Sequence, residues 1–118
     1  MYRAYIMIGG KIHRFEDIAS TNDTAFKLAQ KGALEGEVVL ALHQTKGRGR
    51  AGRSWESPAG KNIYMSVVLK PKSAANLSSL TLVAGIAVAD ALKNFTKGSL
   101  KVKWPNDIWL NGKKLCGI

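Results

Sequence analysis

Residues 44–55 read QTKGRGRAGRSW, and this stretch decides whether the chain can adopt a dinucleotide-binding fold. Its glycines match the pattern G-x-G-x-x-G at positions 47, 49 and 52, directly after an apolar, β-branched segment. In a dinucleotide-binding fold, a helix begins at the last glycine and an acidic residue follows about 20 residues later. Here the sequence continues as RSWESP, which is no helix start, and no acidic residue lies between Glu56 and Asp90. The stretch therefore argues against a dinucleotide fold, and no Walker motif can be placed in the chain either.

The segments on either side of this stretch alternate between strand and helix patterns. Residues 20–23 are a cluster of N-cap side chains ahead of a helical pattern, and Asn111-Gly112 is a preferred pair for a tight hairpin turn. The order of elements predicts a mixed α/β (α+β) domain with a largely antiparallel sheet flanked by helices. Its second helix is apolar on most faces, which predicts that it is buried or covered on two sides. Strands are predicted at 2–8, 37–44, 62–69, 100–104, 108–110 and 113–118, helices at 22–31 and 77–95, and a long loop at 45–61.

The composition is that of one ordinary globular domain. The chain has 118 residues, of which 46% are apolar and 22% are charged. The longest apolar stretch, residues 80–92, is interrupted by Thr81, Gly85 and Asp90, so we expect no segment that spans a bilayer. The beginning of the chain lacks a signal-peptide pattern, which favours a cytoplasmic location. The single cysteine, Cys116, excludes an internal disulfide and is expected to be a small core residue.

The net charge of +10 is unevenly distributed along the chain. Residues 1–56 carry nine basic and six acidic side chains, whereas residues 57–118 carry nine basic and only two acidic ones. Such an excess attracts phosphate groups of nucleotides, nucleic acids or anionic lipids, or it is balanced by an acidic partner segment. The composition alone does not distinguish among these binding partners.

The chemistry of the loop points to an anion. Glycines let the backbone approach a phosphate closely, and backbone N–H groups can form a concave binding site there. Arg48, Arg50 and Arg53 add permanently charged, bidentate donors. The same residues also fit an RNA contact or a solvated surface, although only Trp55 is nearby as a stacking platform. A phosphate-bearing small ligand, a nucleic acid and a solvated face thus all remain open at this point.

Two further segments carry polar side chains at the ends of predicted elements. In KVKWPND (101–107), strand alternation places Lys101 and Lys103 on one face, and the strand ends in a rigid turn that can fix a polar group over a site. Asp107 is also explained as a turn-capping carboxylate. In Ser20-Thr21-Asn22, one residue caps the helix, and the surplus hydrogen-bonding groups could bind a small polar ligand. Gln44, by itself, is an ordinary residue at a strand end.

Metal binding and nucleophilic catalysis are not indicated by the sequence. His13 and His43 lie thirty residues apart without an acidic or thiol partner pattern, so we expect no metal held by protein ligands. No Ser/His/Asp or Cys/His pattern suggests a covalent intermediate.

Taken together and in order, the motifs resemble those of biotin protein ligases over essentially the whole chain. The arginine–glycine loop and the KWPND segment are highly specific when they occur together in this order. The motifs are STN (20–22), QTKGRGRAGRSW (44–55), GKNIYMS (60–66), KWPNDI (103–108) and KKLCGI (113–118).

The resemblance implies a two-step activity on a class II aminoacyl-tRNA-synthetase-like catalytic domain. The carboxylate of biotin attacks the α-phosphate of ATP to give biotinyl-5′-AMP and pyrophosphate, with Mg²⁺. A lysine of a biotin carboxyl carrier protein then accepts the biotinyl group. Cations must neutralise the charge that builds on the phosphate, and a loop that orders over its ligand keeps water away from the mixed anhydride.

The resemblance also assigns roles to individual residues of this sequence. The implied catalytic residues are Lys103, Arg48 and Arg50. The implied biotin-binding residues are Ser20, Thr21, Asn22, Gln44, Gly47, Arg48, Gly49, Arg50 and Lys103. The implied adenylate- or phosphate-binding residues are Arg48, Arg50, Arg53, Trp55, Asn106, Asp107 and Gly117.

The sequence departs from the family pattern at both ends. Only about nineteen residues precede Ser20, too few for the helix-turn-helix domain of the repressor members, so DNA binding is not expected. Residues 1–118 are expected to be the N-terminal part of the catalytic domain, without the segments that bind adenine. Alternatives are therefore an incomplete biotin-binding fragment completed by a second chain or by a homodimer partner, a lipoate or octanoate ligase relative, and a nucleic-acid binder.

Overall fold

The computed structural model describes residues 5–118 and divides the chain into two compact units, Met1–Lys70 and Pro71–Ile118. The first unit contains strand β1, helix α1 and strands β2 and β3; the second contains helix α2 and strands β4 to β6. Short 3₁₀ turns occur at Arg50–Gly52 and Ala74–Asn76. The bounds are β1 Ile12–Ile18, α1 Thr21–Gln30, β2 Val38–Gln44, β3 Tyr64–Val67, α2 Leu77–Leu92, β4 Leu100–Lys103, β5 Asp107–Leu110 and β6 Lys113–Gly117.

The first unit is a three-stranded sheet, in the order β1-β2-β3, with α1 packed against it. Strand β1 pairs with β2 in parallel, so α1 is the crossover that connects them, while β2 and β3 are antiparallel. Val39, which is fully buried, packs with Ala25 and Val68 to form the core of this unit. The parallel pairing brings the ends of β1 and β2 together, with Ile18 opposite Gln44.

The second unit contains an antiparallel sheet in the order β4-β5-β6, with α2 in contact with β4 and β5. The Asn111-Gly112 turn joins β5 and β6, and both of its residues have positive φ angles, 50° and 79°. This backbone suits a two-residue hairpin and confirms the turn that the sequence predicts. Ile108 on β5 is fully buried and anchors this sheet.

The predicted fold class is confirmed, with mixed α/β structure and three antiparallel pairings against one parallel pairing. The strands, however, form two three-stranded sheets instead of one. The prediction of a first strand at 2–8 is wrong for its described part, because residues 5–7 are irregular and Ile8 begins a turn. The rest of that prediction lies outside the described residues. The parallel partner of β2 is Ile12–Ile18 instead.

Helix α2 differs from its prediction in both length and burial. It ends at Leu92, and residues 93–95 form a turn instead of a last helical turn. The prediction of a buried helix is wrong for this structure, since Gly85 is its only buried residue and large side chains such as Val83 and Ile86 are half exposed.

The same segment corrects the expectation that no part of the chain could cross a bilayer. Together with the preceding 3₁₀ turn it forms one helix of 19 residues, Ala74–Leu92, which is long and apolar enough by length and composition. The polar residues that interrupt this helix do not lower its mean hydropathy below that of a membrane-spanning segment, because most of its other side chains are aliphatic. A single helix that meets these two criteria is weak evidence for a membrane span.

A buried carboxylate at the start of β2 predicts acid sensitivity in the first unit. Hydrogen bonds from His13 Nε2 (2.7 Å) and the Leu34 backbone N–H (2.9 Å) hold the pKa of Glu37 below its ordinary value of 4.5. A carboxyl with a lowered folded-state pKa stabilises the fold above pH 4.5, and this stabilisation is lost as the pH falls through the lowered pKa. We expect Glu37→Gln to flatten the pH dependence of the unfolding free energy below pH 4.5. Urea titrations at several pH values measure this, and the exposed Glu16→Gln should retain the slope of the unaltered protein.

Candidate functional site

The first helix begins in a network of short polar side chains. Ser20 is the N-cap of α1, and its Oγ accepts a hydrogen bond from the Asp23 backbone N–H (3.4 Å). This confirms that one residue of the cluster serves as the cap. The Thr21 and Asn22 side chains do not cap the helix; both hydrogen-bond to Ser66 on β3, with 2.8 Å between Ser66 Oγ and Thr21 Oγ1. The surplus polar groups are thus held in fixed positions at the end of the helix.

Gln44 lies at the end of β2 and connects this network to the loop that follows. Its Oε1 accepts a hydrogen bond from the Thr21 backbone N–H (2.8 Å), and its Nε2 donates to Ser57 Oγ (3.1 Å). Ser57 Oγ in turn donates to the Trp55 carbonyl (3.1 Å). The side chain that appeared to be an ordinary strand-end residue therefore joins the helix start to both ends of the arginine–glycine loop.

The loop after β2 is ordered by its own backbone hydrogen bonds. The Trp55 N–H donates to the Gly47 carbonyl (2.8 Å), and the Gly49 N–H donates to the Arg53 carbonyl (2.7 Å). Gly47 is buried, and a side chain there would be impossible without movement, because an added Cβ would lie 2.5 Å from the Trp55 carbonyl oxygen. Ala51, at the tip, has a left-handed backbone with φ of 55°. The predicted loop at 45–61 therefore has a defined shape that depends on glycine at position 47.

Of the three loop arginines, Arg48 is bound to α1. Its Nη1 and Nη2 donate to Asp23 Oδ2 (3.0 Å) and Oδ1 (2.5 Å) in a bidentate pair. The hydrogen bonds from Arg48 lower the pKa of Asp23, and the bond to Asp23 raises the pKa of Arg48. Arg50 and Arg53 are exposed on the loop. The loop thus presents guanidinium groups to solvent beside the N-terminus of a helix, where anions are stabilised.

An open cleft lies in the first unit between the end of β2 and the loop. Its volume is about 450 Å³, and its wall is partly polar and partly apolar. The site residues Gln44, Gly47 and Trp55 line it, together with Ser57 and His43. A cleft of this size accommodates a small organic ligand.

The second unit contains Lys103, which lies at the end of β4. Its Nζ is 4.6 Å from the centroid of the Trp109 ring, a cation–π contact that orients the ammonium group. Lys101 and Lys103 are exposed while Leu100 and Val102 are half buried, as the predicted alternation requires. A second open cleft, of about 570 Å³, is lined by Lys101, Lys103 and Trp109 among others.

The other site residues predicted in the second unit hold its sheet together. The Asn106 side-chain amide donates to the Ile118 carbonyl (2.8 Å), and Asp107 forms an ion pair with Lys114 (2.9 Å). Gly117 is the strand partner of Asp107. These contacts fix the turn after Lys103, and direct contact of these residues with an adenylate stays a prediction. The expectation that Cys116 is a core residue is partly met, because it is half buried, and burial raises the pKa of its thiol.

The structure places the predicted site residues in two groups. The first unit brings together the helix start, Gln44 and the loop, and the second unit brings together Lys103 and the turn that follows it. Sequence reasoning missed Asp23, Ser57 and Trp109 as supporting residues, and it named Ser66 only as part of a motif. Single serines and aspartates carry little signal, since their partners become evident only when the strands pair.

Within residues 5–118, no group of three or more His, Cys, Asp or Glu side chains could hold a metal ion.

Removing the Ser66 hydroxyl should destabilise the first unit. Ser66→Ala takes a hydrogen-bond partner from both Thr21 and Asn22, and a buried polar group left without a partner costs about 1–3 kcal/mol. We expect a loss of that size in the unfolding free energy, measured by urea denaturation. Ser54→Ala, at an exposed serine of the same unit, is the matched control and should leave the midpoint nearly unchanged. Equal stability of the two variants would contradict a structural role for the Ser66 network.

Known proteins share both the sequence and the fold. Over 103 residues the chain is 46% identical to the biotin–[acetyl-CoA-carboxylase] ligase of Paracoccus denitrificans, a match that covers 84% of the chain and 42% of that protein. It is 44% identical over 102 residues to the bifunctional ligase/repressor BirA of Bacillus spizizenii, covering 86% of the chain and 31% of that protein. The chain therefore spans less than half the length of these relatives.

A solved structure gives the corresponding match in three dimensions. The biotin protein ligase from Aquifex aeolicus in complex with biotin and ATP superposes with a TM-score of 0.79 at 37% identity, over 92% of this chain and 45% of that chain. The family model for the biotin/lipoate A/B protein ligases matches residues 15–118, which include both groups of site residues. On this evidence the chain belongs to the biotin/lipoate A/B protein ligase family.

Proposed function

We propose that this chain provides the biotin-binding and phosphate-binding part of a biotin protein ligase. The observation that carries the proposal is that Gln44 is hydrogen-bonded both to the helix start and to Ser57 after the loop, and lines a cleft together with Gly47 and Trp55. The A. aeolicus protein with a similar fold is a biotin protein ligase in complex with biotin and ATP. Another similar structure, from Leishmania major, is in complex with biotinyl-5-AMP, with a TM-score of 0.76 and 32% identity.

The first step of the proposed activity is binding of biotin. The fused-ring head of biotin is a small polar group with amide-like donors and an acceptor, which hydrogen-bonding side chains at fixed positions can recognise. Ser20, Thr21, Asn22 and Gln44 supply such groups, and all four are already oriented by hydrogen bonds within the protein. Because these side chains are pre-ordered, little conformational entropy is lost when the ligand binds.

The second step is attack of the biotin carboxylate on the α-phosphate of ATP. An anion attacks an anion, so the reaction needs cations close to the phosphate. Arg50 and Arg53 provide exposed guanidinium groups on the loop, and Arg48 keeps the donors that its pair with Asp23 does not use. The family resemblance implies Lys103 of the second unit as a further cation for this step. The donor set of residues 5–118 does not fit a metal ion held by protein ligands, so we assign no step to Mg²⁺.

The third step is transfer of the biotinyl group to a lysine of a carrier protein. The relative from P. denitrificans is a biotin–[acetyl-CoA-carboxylase] ligase, which supports a biotin carboxyl carrier domain as the acceptor. Release of AMP balances the reaction, since the lysine amine displaces it from the mixed anhydride to form an amide. We propose a cytoplasmic location, where such carriers and ATP are available.

Titration calorimetry with biotin and with a non-hydrolysable biotinyl-adenylate analogue tests the proposal. We expect saturable binding of both ligands, with tighter binding of the analogue because it engages the arginine loop in addition to the polar cluster. Lipoate and octanoate are the control ligands, since the family includes lipoate ligases. Failure of a folded sample to bind biotin or the analogue would refute the proposal, and preferential binding of lipoate would reassign the substrate.

A further inference from the structure

One contact in the first unit belongs to none of the roles assigned so far. Asp23, in the first turn of α1, forms the bidentate pair with Arg48 of the loop. The two residues are 25 positions apart, so the pair connects segments that are distant in the chain. The backbone bonds of the loop close it onto itself, whereas this pair attaches it to the helix.

The geometry distinguishes this pair from an ordinary surface ion pair. Exposed pairs contribute little to stability unless both donors of a guanidinium meet both oxygens of one carboxylate, and this pair has that arrangement, at 3.0 and 2.5 Å. Asp23 is also partly covered, with its side chain 40% exposed. The pair uses two of the five guanidinium N–H groups, so three remain available for an anionic ligand.

We propose that Asp23 is a positioning residue, whose carboxylate holds Arg48, and with it the loop at 47–55, against the first turn of α1. The pair favours the position of the loop beside the Ser20–Asn22 cluster. A loop that orders over its ligand then has fewer conformations to lose when it closes, which reduces the loss of affinity. The substitution of Asp23 should therefore loosen the loop without unfolding the unit.

Amide hydrogen exchange of the loop tests this inference without any ligand. The N–H groups of Gly49, Arg53 and Trp55 report whether the loop is closed, and trypsin cleavage after Arg50 and Arg53 gives a second measure. We expect Asp23→Asn to accelerate exchange and cleavage about two- to fivefold, the range that corresponds to a well-aligned exposed pair.

The matched control is Asp90→Asn, which breaks an exposed pair with Lys93 at the same shortest distance of 2.5 Å, outside the first unit. It should leave loop exchange unchanged. The charge-swapped variant, Asp23→Arg with Arg48→Asp, restores the pair in reverse and should return loop exchange toward the original rate. Unchanged exchange in Asp23→Asn, or no recovery in the swapped variant, would overturn the inference.

One further measurement, the dissociation rate of biotin, rests on the proposed function. If biotin binds, Asp23→Asn should increase its dissociation rate about two- to fivefold while the unfolding midpoint stays nearly constant. A purely structural role for Asp23 would shift the midpoint and leave dissociation unchanged. If biotin does not bind at all, the proposed function fails, while the exchange experiment still decides whether Asp23 positions the loop.

Discussion

Gly47→Ala should destabilise the first unit and, on the proposed function, remove most of the affinity for biotin. The added Cβ would lie 2.5 Å from the Trp55 carbonyl oxygen, 2.6 Å from Ser57 Oγ and 3.1 Å from Gln44 Nε2. A backbone carbonyl cannot move away cheaply, so the loop must open and the hydrogen bonds of Gln44 and Ser57 must break. Overpacking of this kind costs about 1–3 kcal/mol. We expect a loss of that size in the unfolding free energy, together with a loss of at least about tenfold in biotin affinity, since 1.4 kcal/mol corresponds to tenfold.

The same loop provides the control for this experiment. A Cβ added at Gly49 would meet its nearest atoms at 3.6 Å, which is ordinary van der Waals contact, and the φ of Gly49 is −94°. Gly49→Ala therefore changes the same residue type in the same loop without a clash. Urea denaturation and calorimetry should show that it remains close to the unaltered protein. Equal losses in both variants would mean that loop flexibility, and not the close approach at Gly47, determines binding.

On the proposed function, Lys103→Met should reduce the formation of biotinyl-adenylate by about 10²–10³-fold, the range for removal of a group that stabilises transition-state charge. The side chain is exposed at the end of β4, and its contact with the Trp109 ring orients the ammonium group. Methionine keeps the length and most of the apolar contact area, so the loss reports on the charge. Biotin-dependent exchange of radioactive pyrophosphate into ATP measures this step separately from transfer to the carrier.

Lys101→Met is the matched control, because Lys101 is on the same face of the same strand and is also exposed. Its removal lowers the net charge equally, so a general electrostatic effect on ATP would appear in both variants. We expect Lys101→Met to retain adenylation within about threefold, because Lys101 lies about 7 Å farther along the strand from the turn than Lys103, and the interaction between exposed charges in water weakens with distance. Comparable losses for the two lysines would contradict a specific role for Lys103.

The elements with strong local signals could be predicted from the sequence. A cap among residues 20–22 and the Asn111-Gly112 turn depend on side chains and backbone angles within a few residues, and both occur as predicted, with Ser20 as the cap. The first strand was misplaced because its identity depends on which segment pairs with β2, and Ile12–Ile18 does so. The exposure of α2 could not be predicted, since an apolar sequence does not specify whether a neighbouring element covers the helix.

The site was predictable where its residues form motifs and unpredictable where it depends on pairing. Gln44 and Gly47 belong to one contiguous stretch, and the structure places both in the wall of one cleft. Ser66 reaches the helix because β3 pairs with β2, with Ser66 opposite Val39. Asp23 was already explained by the cap cluster, so no local pattern indicated a second contact with Arg48 across 25 residues.

The parallel pairing of β1 and β2 has a practical consequence for labelling this protein. Because both strands run in the same direction, the start of α1 and the arginine loop emerge at one edge of the sheet, and the other connections emerge at the opposite edge. Lys31, at the far end of α1, is exposed at that opposite edge. A fluorophore or surface tether attached there would lie about 15 Å from the edge of the sheet at which α1 starts, given the 1.5 Å rise per residue of a ten-residue helix. Binding could then be followed without blocking the entrance to the cleft.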